Sequence, residues 1–198
     1  MLITTSFFQA MDTRLLSYFS HTREAAPDWL ATIFVWFQNF TSVVWGVVTA
    51  VLILFWLATR HTRRFLLMLI SVAGAELLWL ALVFAIGRER PEPVAVFGGI
   101  NLPSYPSGHA LFNLAFYVTL TYIFYGEVRS TRGKRALLGV VSLLLVFTGL
   151  NRLFFSVHYF SDLLGGYLMG VAWTAFALWL ADWLTVRWKG EIPEGDNT

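Results

Sequence analysis

Long apolar stretches alternate with short polar segments along most of the chain. Crossing about 30 Å of hydrocarbon takes roughly 20 apolar helical residues. Four stretches have that length and character: 65–86, 109–125, 136–154 and 161–183. A further run without charged side chains, from Trp29 to Thr59, is too long for one upright span and is polar in its middle, so we expect a short interfacial helix and then a fifth span over 42–59. The pattern predicts an all-α, polytopic transmembrane bundle of about five spans, with a sixth left open.

The N-terminal segment has an amphipathic pattern instead. Between residues 5 and 19 apolar side chains recur at helical spacing, while most polar side chains fall elsewhere on the helix. These apolar positions are Phe8, Met11, Leu15 and Phe19. Such a pattern is typical of a helix that lies on the membrane surface.

The composition agrees with a membrane protein of one domain. Of the 198 residues, 57% are hydrophobic and 13% are charged, whereas a soluble domain carries about 25% charged residues. No cysteine is present, so disulfides and thiolate sites are excluded, and a net charge of +2 is too small to indicate a nucleic-acid partner. We expect a single domain over 1–198, with an interfacial N-terminal segment (1–28) and a loose cytoplasmic tail (189–198).

Basic residues predict the orientation of the bundle. With five spans, nine of the 14 lysines and arginines fall on one side, in the loops near residues 60–64 and 129–135 and after the last span. Basic loops face the cytoplasm. We therefore expect a protein of the bacterial inner membrane whose C-terminus is cytoplasmic, and whose opposite face is the outer or periplasmic one.

Three segments with unusual chemistry meet at that opposite face: "GRERPEP" (87–93), "YPSGHA" (105–110) and "NRLFFSVHYFSD" (151–162). A charged side chain at membrane depth is costly and usually functional. Together the segments supply Arg88, Arg90, Ser107, His109, Arg152, His158 and Asp162. The sequence therefore predicts a functional site at this end of the bundle.

Each part of this set has a role if the ligand is a phosphate. Arginine offers a planar fork that matches phosphate oxygens. Ser107 and Gly108 precede an apolar helix, whose N-terminus is a ready anion site. His158 and Asp162 are four residues apart and share a helix face, so the carboxylate can hold one ring nitrogen protonated while the other attacks phosphorus.

Other interpretations of the same residues remain open at this point. An isolated histidine near a helix end is more often an interfacial residue than a catalyst, and an isolated arginine such as Arg152 can extend to the membrane surface. A metal site built from His109, His158 and Asp162 is disfavoured, because three nearby arginines would repel the cation. The coincidence of all three segments on one face favours the phosphate site.

The motifs "GRERP", "PSGH" and "NR-x5-H-x3-D" resemble the three signatures of the type 2 phosphatidic acid phosphatase family, integral-membrane lipid phosphatases. The resemblance implies that His158 is a nucleophile that forms a phosphohistidine, that Asp162 orients it, and that His109 is the general acid. It further implies that no metal or other cofactor takes part. The residues that it assigns to phosphate binding are Arg90, Ser107, Gly108 and Arg152.

Two positions depart from the family pattern. The family usually has a lysine seven residues before its first-motif arginine, where this chain has Val83, and its third motif usually opens with serine rather than Asn151. We expect Arg88 to supply the missing phosphate-binding charge, although it could equally pair with Glu89 or Glu92. Many bacterial relatives also have six spans.

The resemblance implies a lipid phosphatase whose substrate enters sideways from the bilayer. Undecaprenyl pyrophosphate, phosphatidylglycerol phosphate and phosphatidic acid are all compatible with the motifs. A phosphotransferase would use the same intermediate with a different acceptor, and a catalytically weak lipid-binding or scaffold protein is the alternative from another class. The oligomeric state is left open by the sequence.

Overall fold

The computed structural model describes residues 5–91, 95–96 and 100–190, most of which are helical. The helical elements are α1 (Ser6–Glu24), α2 (Asp28–Ala58), α3 (Thr62–Met68), a π-helical turn (Leu69–Ala73), α4 (Gly74–Ile86), α5 (Gly108–Tyr125), α6 (Thr131–Phe154) and α7 (Phe160–Gly190). Two short antiparallel strands, β1 (Ala95–Val96) and β2 (Ile100–Asn101), lie between α4 and α5. The all-α prediction is confirmed. Most of the predicted tail lies outside the described residues, although α7 includes Lys189 and Gly190.

Within the described residues, three helical stretches are long and apolar enough to cross a membrane: 62–86, 131–154 and 160–186. A shorter apolar stretch forms the second half of α2, Trp45–Ala58. Helix α5 has 18 residues, carries His109 and Asn113, and packs against α4, α6 and α7. Asn113 donates to the Thr148 hydroxyl at 3.3 Å, so its polar group is bonded to another helix rather than exposed to lipid.

Helix α2 differs from its prediction. It is one continuous helix of 31 residues, and no break separates an interfacial helix from the span expected over 42–59. At 1.5 Å per residue it is about 46 Å long, which exceeds the hydrocarbon thickness. The polar residues in its middle were misleading because they include neither glycine nor proline and so need not end a helix. One of them, Gln38, accepts a hydrogen bond from Arg152 instead of marking a loop.

The stretch from α3 to α4 runs through the π-helical turn without a break. A π-helical turn disturbs the regular pattern of backbone hydrogen bonds. The indole N–H of Trp173 donates to the carbonyl oxygens of Ile70 and Ser71, at 3.2 and 3.1 Å. A Cβ at Gly74 would overlap the Trp173 ring, so glycine allows the close approach of α7 that places the indole there.

The ends of four helices define one end of the bundle, called here the site end. Helix α4 ends at Ile86 with Gly87 in the left-handed conformation (φ 64°), α5 begins at Gly108, α6 ends at Phe154 and α7 begins at Phe160. Helix α1 packs against α6 and α7. The opposite end, called the basic end, contains Arg63, Arg64 and the turn between α5 and α6. The topology therefore gathers the three predicted motifs at the site end.

Candidate active site

Backbone hydrogen bonds connect the three motif segments directly. The Ser104 N–H donates to the Arg88 carbonyl at 2.6 Å, and the Ser107 N–H donates to the Asp162 carbonyl at 3.0 Å. The Cβ of an alanine at Gly166 would lie 2.5 Å from the Ser107 carbonyl oxygen, so α7 approaches the second motif more closely than any side chain allows. The motif residues are therefore held in one frame rather than on independent loops.

His158 lies in the short loop between α6 and α7 and is only 3% exposed. Its Nε2 atom is 3.2 Å from Nη1 of Arg90. A guanidinium can donate hydrogen bonds but cannot accept them, so Nε2 must be the accepting nitrogen. The ring proton of neutral His158 therefore belongs on Nδ1, an assignment that follows from the hydrogen-bond network. This tautomer leaves a lone pair on Nε2, as a nucleophile requires.

Asp162 is fully buried in the first turn of α7 and faces the other side of the same ring. Its Oδ2 atom lies 3.4 Å from Nδ1 of His158, close but outside hydrogen-bond geometry, and accepts the Tyr159 N–H at 2.9 Å. Burial lowers the pKa of His158 below its ordinary value, and the nearby carboxylate of Asp162 opposes this shift only in part. His158 is therefore neutral near pH 7, and its Nδ1 atom faces the carboxylate of Asp162.

Arg90 is anchored by backbone carbonyl groups. Its Nε donates to Leu102 at 2.7 Å, its Nη1 to Val157 at 2.9 Å and its Nη2 to Pro103 at 3.4 Å. Burial lowers the pKa of Arg90, and the charge of Asp162 opposes that effect without cancelling it. These contacts fix the guanidinium beside Nε2 of His158, where it can contact an anion that reacts there.

Arg152 reaches the site from the last turn of α6 and is 5% exposed. Its guanidinium donates to the side-chain oxygens of Gln38 and Asn151, and Asn151 in turn donates to the Phe34 carbonyl at 2.7 Å. Both partners of Arg152 are neutral. Asn151 therefore has a structural role, because its amide binds both the arginine and the backbone of α2.

The charges at the site do not balance among the described residues. Asp12 and Asp162 both pair with Arg88, whereas neither Arg90 nor Arg152 forms an ion pair with a carboxylate in the described part of the chain. Three guanidinium groups and two carboxylates thus leave one positive charge uncompensated. A buried charge is costly unless it is paired. The site is therefore electrostatically suited to an anion.

The second motif contributes the start of α5. Ser107 precedes the helix and is fully buried, and its hydroxyl oxygen has no hydrogen-bond partner among the described residues. A Cβ at Gly108 would lie 3.0 Å from Nε1 of Trp79, which donates to the Pro106 carbonyl at 3.1 Å. His109 is half-buried in the first turn of α5. The helix N-terminus and the unpaired hydroxyl are both suited to phosphate oxygens.

Arg88 forms ion pairs with two buried aspartates, Asp12 and Asp162. Its Nη1 atom donates to Asp162 Oδ1 at 2.5 Å and to the Ser161 hydroxyl at 2.7 Å, and its Nη2 atom donates to Asp12 at 2.8 Å. Its guanidinium also lies over the Tyr159 ring, 4.1 Å from the centroid. Pairing with Glu89, the alternative, is absent from these contacts, and Glu92 lies outside the described residues. The contacts favour a role in positioning Asp162 over direct phosphate binding.

Sequence reasoning missed Asp12, although it contacts two residues of the site. Asp12 is 2% exposed, and its carboxylate accepts hydrogen bonds from Arg88 and Ser161. A signal was present: with Phe8, Leu15 and Phe19, Asp12 completes one face of α1 at spacings of four, three and four residues. An acid inside an apolar stripe requires a partner. That face turns towards the bundle, since Phe19 packs on the cluster around Leu153 and Leu163.

Comparisons with known proteins identify the family of this chain. The family model described as PAP2 superfamily matches residues 64–185. The chain is 27% identical over 113 residues to phosphatidylglycerophosphatase B of Bacillus subtilis strain 168, an alignment covering 57% of this chain and 55% of that protein. The chain thus spans about half the length of this curated relative.

The fold resembles a solved structure over nearly its full length. That structure is a crystal structure described as the first transmembrane PAP2 type phosphatidylglycerolphosphate phosphatase from Bacillus subtilis. The TM-score is 0.73 at 21% identity, and the match covers 94% of this chain and 90% of that one. At this level of identity the match concerns the fold.

Proposed function

Because the chain belongs to the PAP2 superfamily, we propose that it is a membrane phosphatase that removes phosphate from a lipid through a phosphohistidine intermediate. The observation that carries this proposal is the tautomer of His158. Its Nε2 atom accepts from Arg90 while its Nδ1 atom faces Asp162, so the lone pair of a buried imidazole points to a fixed guanidinium. A nucleophile requires an unprotonated ring nitrogen next to groups that can bind the phosphate, whereas a structural histidine does not.

In the first step the Nε2 lone pair of His158 attacks phosphorus, and the bond between phosphorus and the lipid oxygen breaks. His109 donates a proton to that leaving oxygen. Arg90 and Arg152 bind the phosphate oxygens together with Ser107 and the N-terminus of α5, which stabilises the charge that develops on them. The N–H of Nδ1 stays on the ring and faces Asp162 as the ring becomes positive.

In the second step a water molecule attacks the phosphohistidine. His109, now neutral, accepts a proton from that water, and the bond between phosphorus and Nε2 breaks. Inorganic phosphate leaves, His158 returns to its neutral form, and His109 carries its proton again. No oxidant or further reactant is required.

The substrate class is a lipid phosphate or pyrophosphate. Phosphatidylglycerol phosphate, phosphatidic acid and undecaprenyl pyrophosphate all present an oxygen-bound terminal phosphoryl group to the same machinery. The described spans leave little protein outside the membrane, which favours sideways entry of the lipid from the bilayer. We propose phosphatidylglycerol phosphate as the first lipid to test, because the similar Bacillus subtilis proteins are named for that substrate.

The orientation follows from the basic residues. We infer that the basic end faces the cytoplasm, because nine of the 14 lysines and arginines belong to it on the predicted topology. The site then faces the periplasmic or outer side of the bacterial inner membrane. A reporter fused after Thr198 should behave as cytoplasmic, and export of that reporter would contradict this orientation.

Phosphate release by the purified full chain in lipid vesicles tests the function. The three lipids are supplied separately, and kcat/KM is compared for the wild type, His158→Ala and the matched control His61→Ala, which removes an exposed histidine at the basic end. We expect neither turnover nor acid-labile phosphate on the enzyme for His158→Ala. The control His61→Ala should show normal turnover and should form the acid-labile enzyme phosphate. Normal turnover by His158→Ala would falsify the mechanism. Transfer of label to an added lipid alcohol would identify a phosphotransferase.

A further inference from the structure

We propose that Asp12 of α1 is a positioning residue that fixes Arg88 and, through it, the carboxylate of Asp162, so that the N-terminal helix completes the catalytic site. The inference rests on the proposed function, since it concerns the orientation of the same nucleophile. It assigns a role in the chemistry to a helix that the amphipathic pattern alone describes as a membrane-surface element.

Asp12 is buried and forms several hydrogen bonds, unlike a carboxylate in an exposed surface ion pair. Its Oδ2 atom accepts Arg88 Nη2 at 2.8 Å and the Ser161 hydroxyl at 2.6 Å, and its Oδ1 atom accepts the Ser161 N–H at 2.8 Å. Both carboxylate oxygens are thus used, and the side chain is only 3% exposed. No residue of α1 other than Asp12 appears in the described contacts of the Arg88 guanidinium.

The electrostatic role of Asp12 follows from its position beyond Arg88. If Arg88 paired with Asp162 alone, it would neutralise the carboxylate that has to stabilise a positive His158 ring. Asp12 takes one end of the guanidinium and supplies a second negative charge, so the three groups together keep a net negative charge. The Tyr159 ring, 4.1 Å from the guanidinium carbon, restricts the arginine further.

Asp12 also stabilises the first turn of α7. The first N–H groups of a helix have no intrahelical partner, and Asp12 accepts the one at Ser161, next to Asp162 in sequence. A negative charge at a helix N-terminus is favourable. Asp12 therefore constrains Asp162 twice, through Arg88 and through the first turn of the helix that carries it.

Helix α1 has other attachments to the bundle, which allows Asp12 to be tested without releasing the helix. Arg23 donates to the Phe155 carbonyl at 3.0 Å near the other end of α1, and Phe19 packs on the cluster around Leu153 and Leu163. Asp12→Asn keeps the size of the side chain and one accepting oxygen. We expect this variant to retain the fold.

The test measures kcat, KM and the pre-steady-state rate of enzyme phosphorylation for Asp12→Asn in the full chain in vesicles of its best lipid substrate. Charge-assisted hydrogen bonds of this kind are worth roughly 1.5–3 kcal/mol, so kcat and the phosphorylation rate should fall about ten- to a hundred-fold. KM should change less than about threefold, because Asp12 acts on the nucleophile rather than on the phosphate. Glu24→Gln is the matched control, since it removes an exposed carboxylate from the same helix, and it should equal the wild type.

A double-mutant cycle separates positioning from mere attachment of the helix. In an Arg88→Gln background, Asp12→Asn should lower kcat by much less than in the wild type, because the two residues act in series. Arg23→Gln weakens the other attachment and should leave kcat nearly unchanged. Equal losses in Arg23→Gln and Asp12→Asn, or additive losses in the cycle, would show that α1 only needs to dock.

The outcomes also distinguish this inference from the function on which it rests. If the wild type releases phosphate, His158→Ala does not, and Asp12→Asn keeps full kcat, the role of Asp12 is overturned and the function stands. If the wild type releases no phosphate from any of the lipids, the proposed function and the role of Asp12 are both contradicted. A variant that loses kcat, holds its KM and shows the non-additive cycle supports the inference.

Discussion

Arginine–aspartate pairs occur at both ends of the bundle, and their surroundings differ far more than their geometry. At the site end Arg88 lies 2.5 Å from Asp162, with side chains 17% and 0% exposed. At the basic end Arg63 lies 2.8 Å from Asp182, with side chains 47% and 46% exposed. The two distances are similar, so distance alone does not indicate which pair matters.

Burial decides the difference. Two opposite charges 4 Å apart interact by about 1 kcal/mol in water and about 4 kcal/mol at the effective dielectric constant near a protein surface. Removing one member of a buried ion pair leaves the other charge buried and unpaired. In an exposed pair, water solvates the remaining charge. On the proposed function, the charges at the site end serve the chemistry, and those at the basic end serve mainly the orientation. Matched substitutions at the two ends test this difference.

The largest difference is expected for aspartate to asparagine. Asp162→Asn removes the group that orients His158 and leaves Arg88 facing an amide, so kcat should fall roughly a thousandfold or more, as replacement of a histidine-orienting aspartate does in other enzymes. Asp182→Asn makes the same chemical change at the basic end and should keep kcat within about twofold. Phosphate release and thermal unfolding of both variants provide the measurement. Comparable losses at both ends would refute the distinction.

His109→Ala should lower kcat by roughly 10²–10⁴-fold, the usual contribution of a general acid. The leaving oxygen then departs without a proton, so substrates whose leaving group is a weaker base should recover part of the rate. Comparing a lipid phosphate with an aryl phosphate checks this dependence. His61→Ala at the basic end should show no such dependence, and an equal loss on both substrates for His109→Ala would exclude the acid role.

Arg152→Gln should cause the next largest loss of activity. It removes one of the two arginines that lack a carboxylate partner in the described structure but leaves the Asn151 and Gln38 amides able to bond the new side chain. With charge-assisted bonds worth roughly 1.5–3 kcal/mol, kcat/KM should fall about ten- to a hundred-fold. Inhibition by inorganic phosphate should weaken in parallel. Arg64→Gln is the control at the basic end, and unchanged phosphate inhibition in Arg152→Gln would contradict the assignment.

Much of this arrangement could be predicted from the sequence. Span length fixes where helices end, and with five spans the three motifs must meet at one end, because successive helices alternate in direction. The four-residue spacing also predicted that His158 and Asp162 face each other, and they lie 3.4 Å apart. The shared helix face was wrong, however, because His158 precedes α7 and only Asp162 lies on it. These predictions rest on local periodicity, which a single sequence carries.

The partners of the buried arginines could not be predicted, because they depend on tertiary packing. Gln38 looked like a break in a helix, and only the packing of α2 beside α6 brings it to Arg152. Arg88 looked like a phosphate ligand, and only the position of α1 reveals that Asp12 engages it. In both cases the sequence showed a polar group in an apolar setting but not the group that it pairs with.

The pH dependence should reflect the burial of His158. Burial lowers the pKa of His158, the charges of Arg90 and Arg152 lower it further, and Asp162 partly opposes them. The neutral ring attacks, so the acidic limb of the kcat/KM profile should fall about tenfold per pH unit below that lowered pKa, with a midpoint under the ordinary value of about 6.5. Profiles between about pH 4 and pH 8 provide the measurement. A midpoint above 6.5 would mean that the acidic partners outweigh burial.

The smallest effect is expected for the pair at the basic end. Arg63 donates to Asp182 and also to the Tyr122 hydroxyl, at 2.8 and 2.9 Å, but both members of the ion pair are nearly half exposed. Solvent screening and the entropy of holding two long side chains offset most of the attraction in such pairs. A double-mutant cycle of Arg63→Gln and Asp182→Asn, followed by thermal unfolding in vesicles, should give a coupling below about 1 kcal/mol and leave kcat unchanged. A coupling of several kcal/mol would mean that this end is also shielded from solvent, and that burial in the isolated chain underestimates its environment in the membrane.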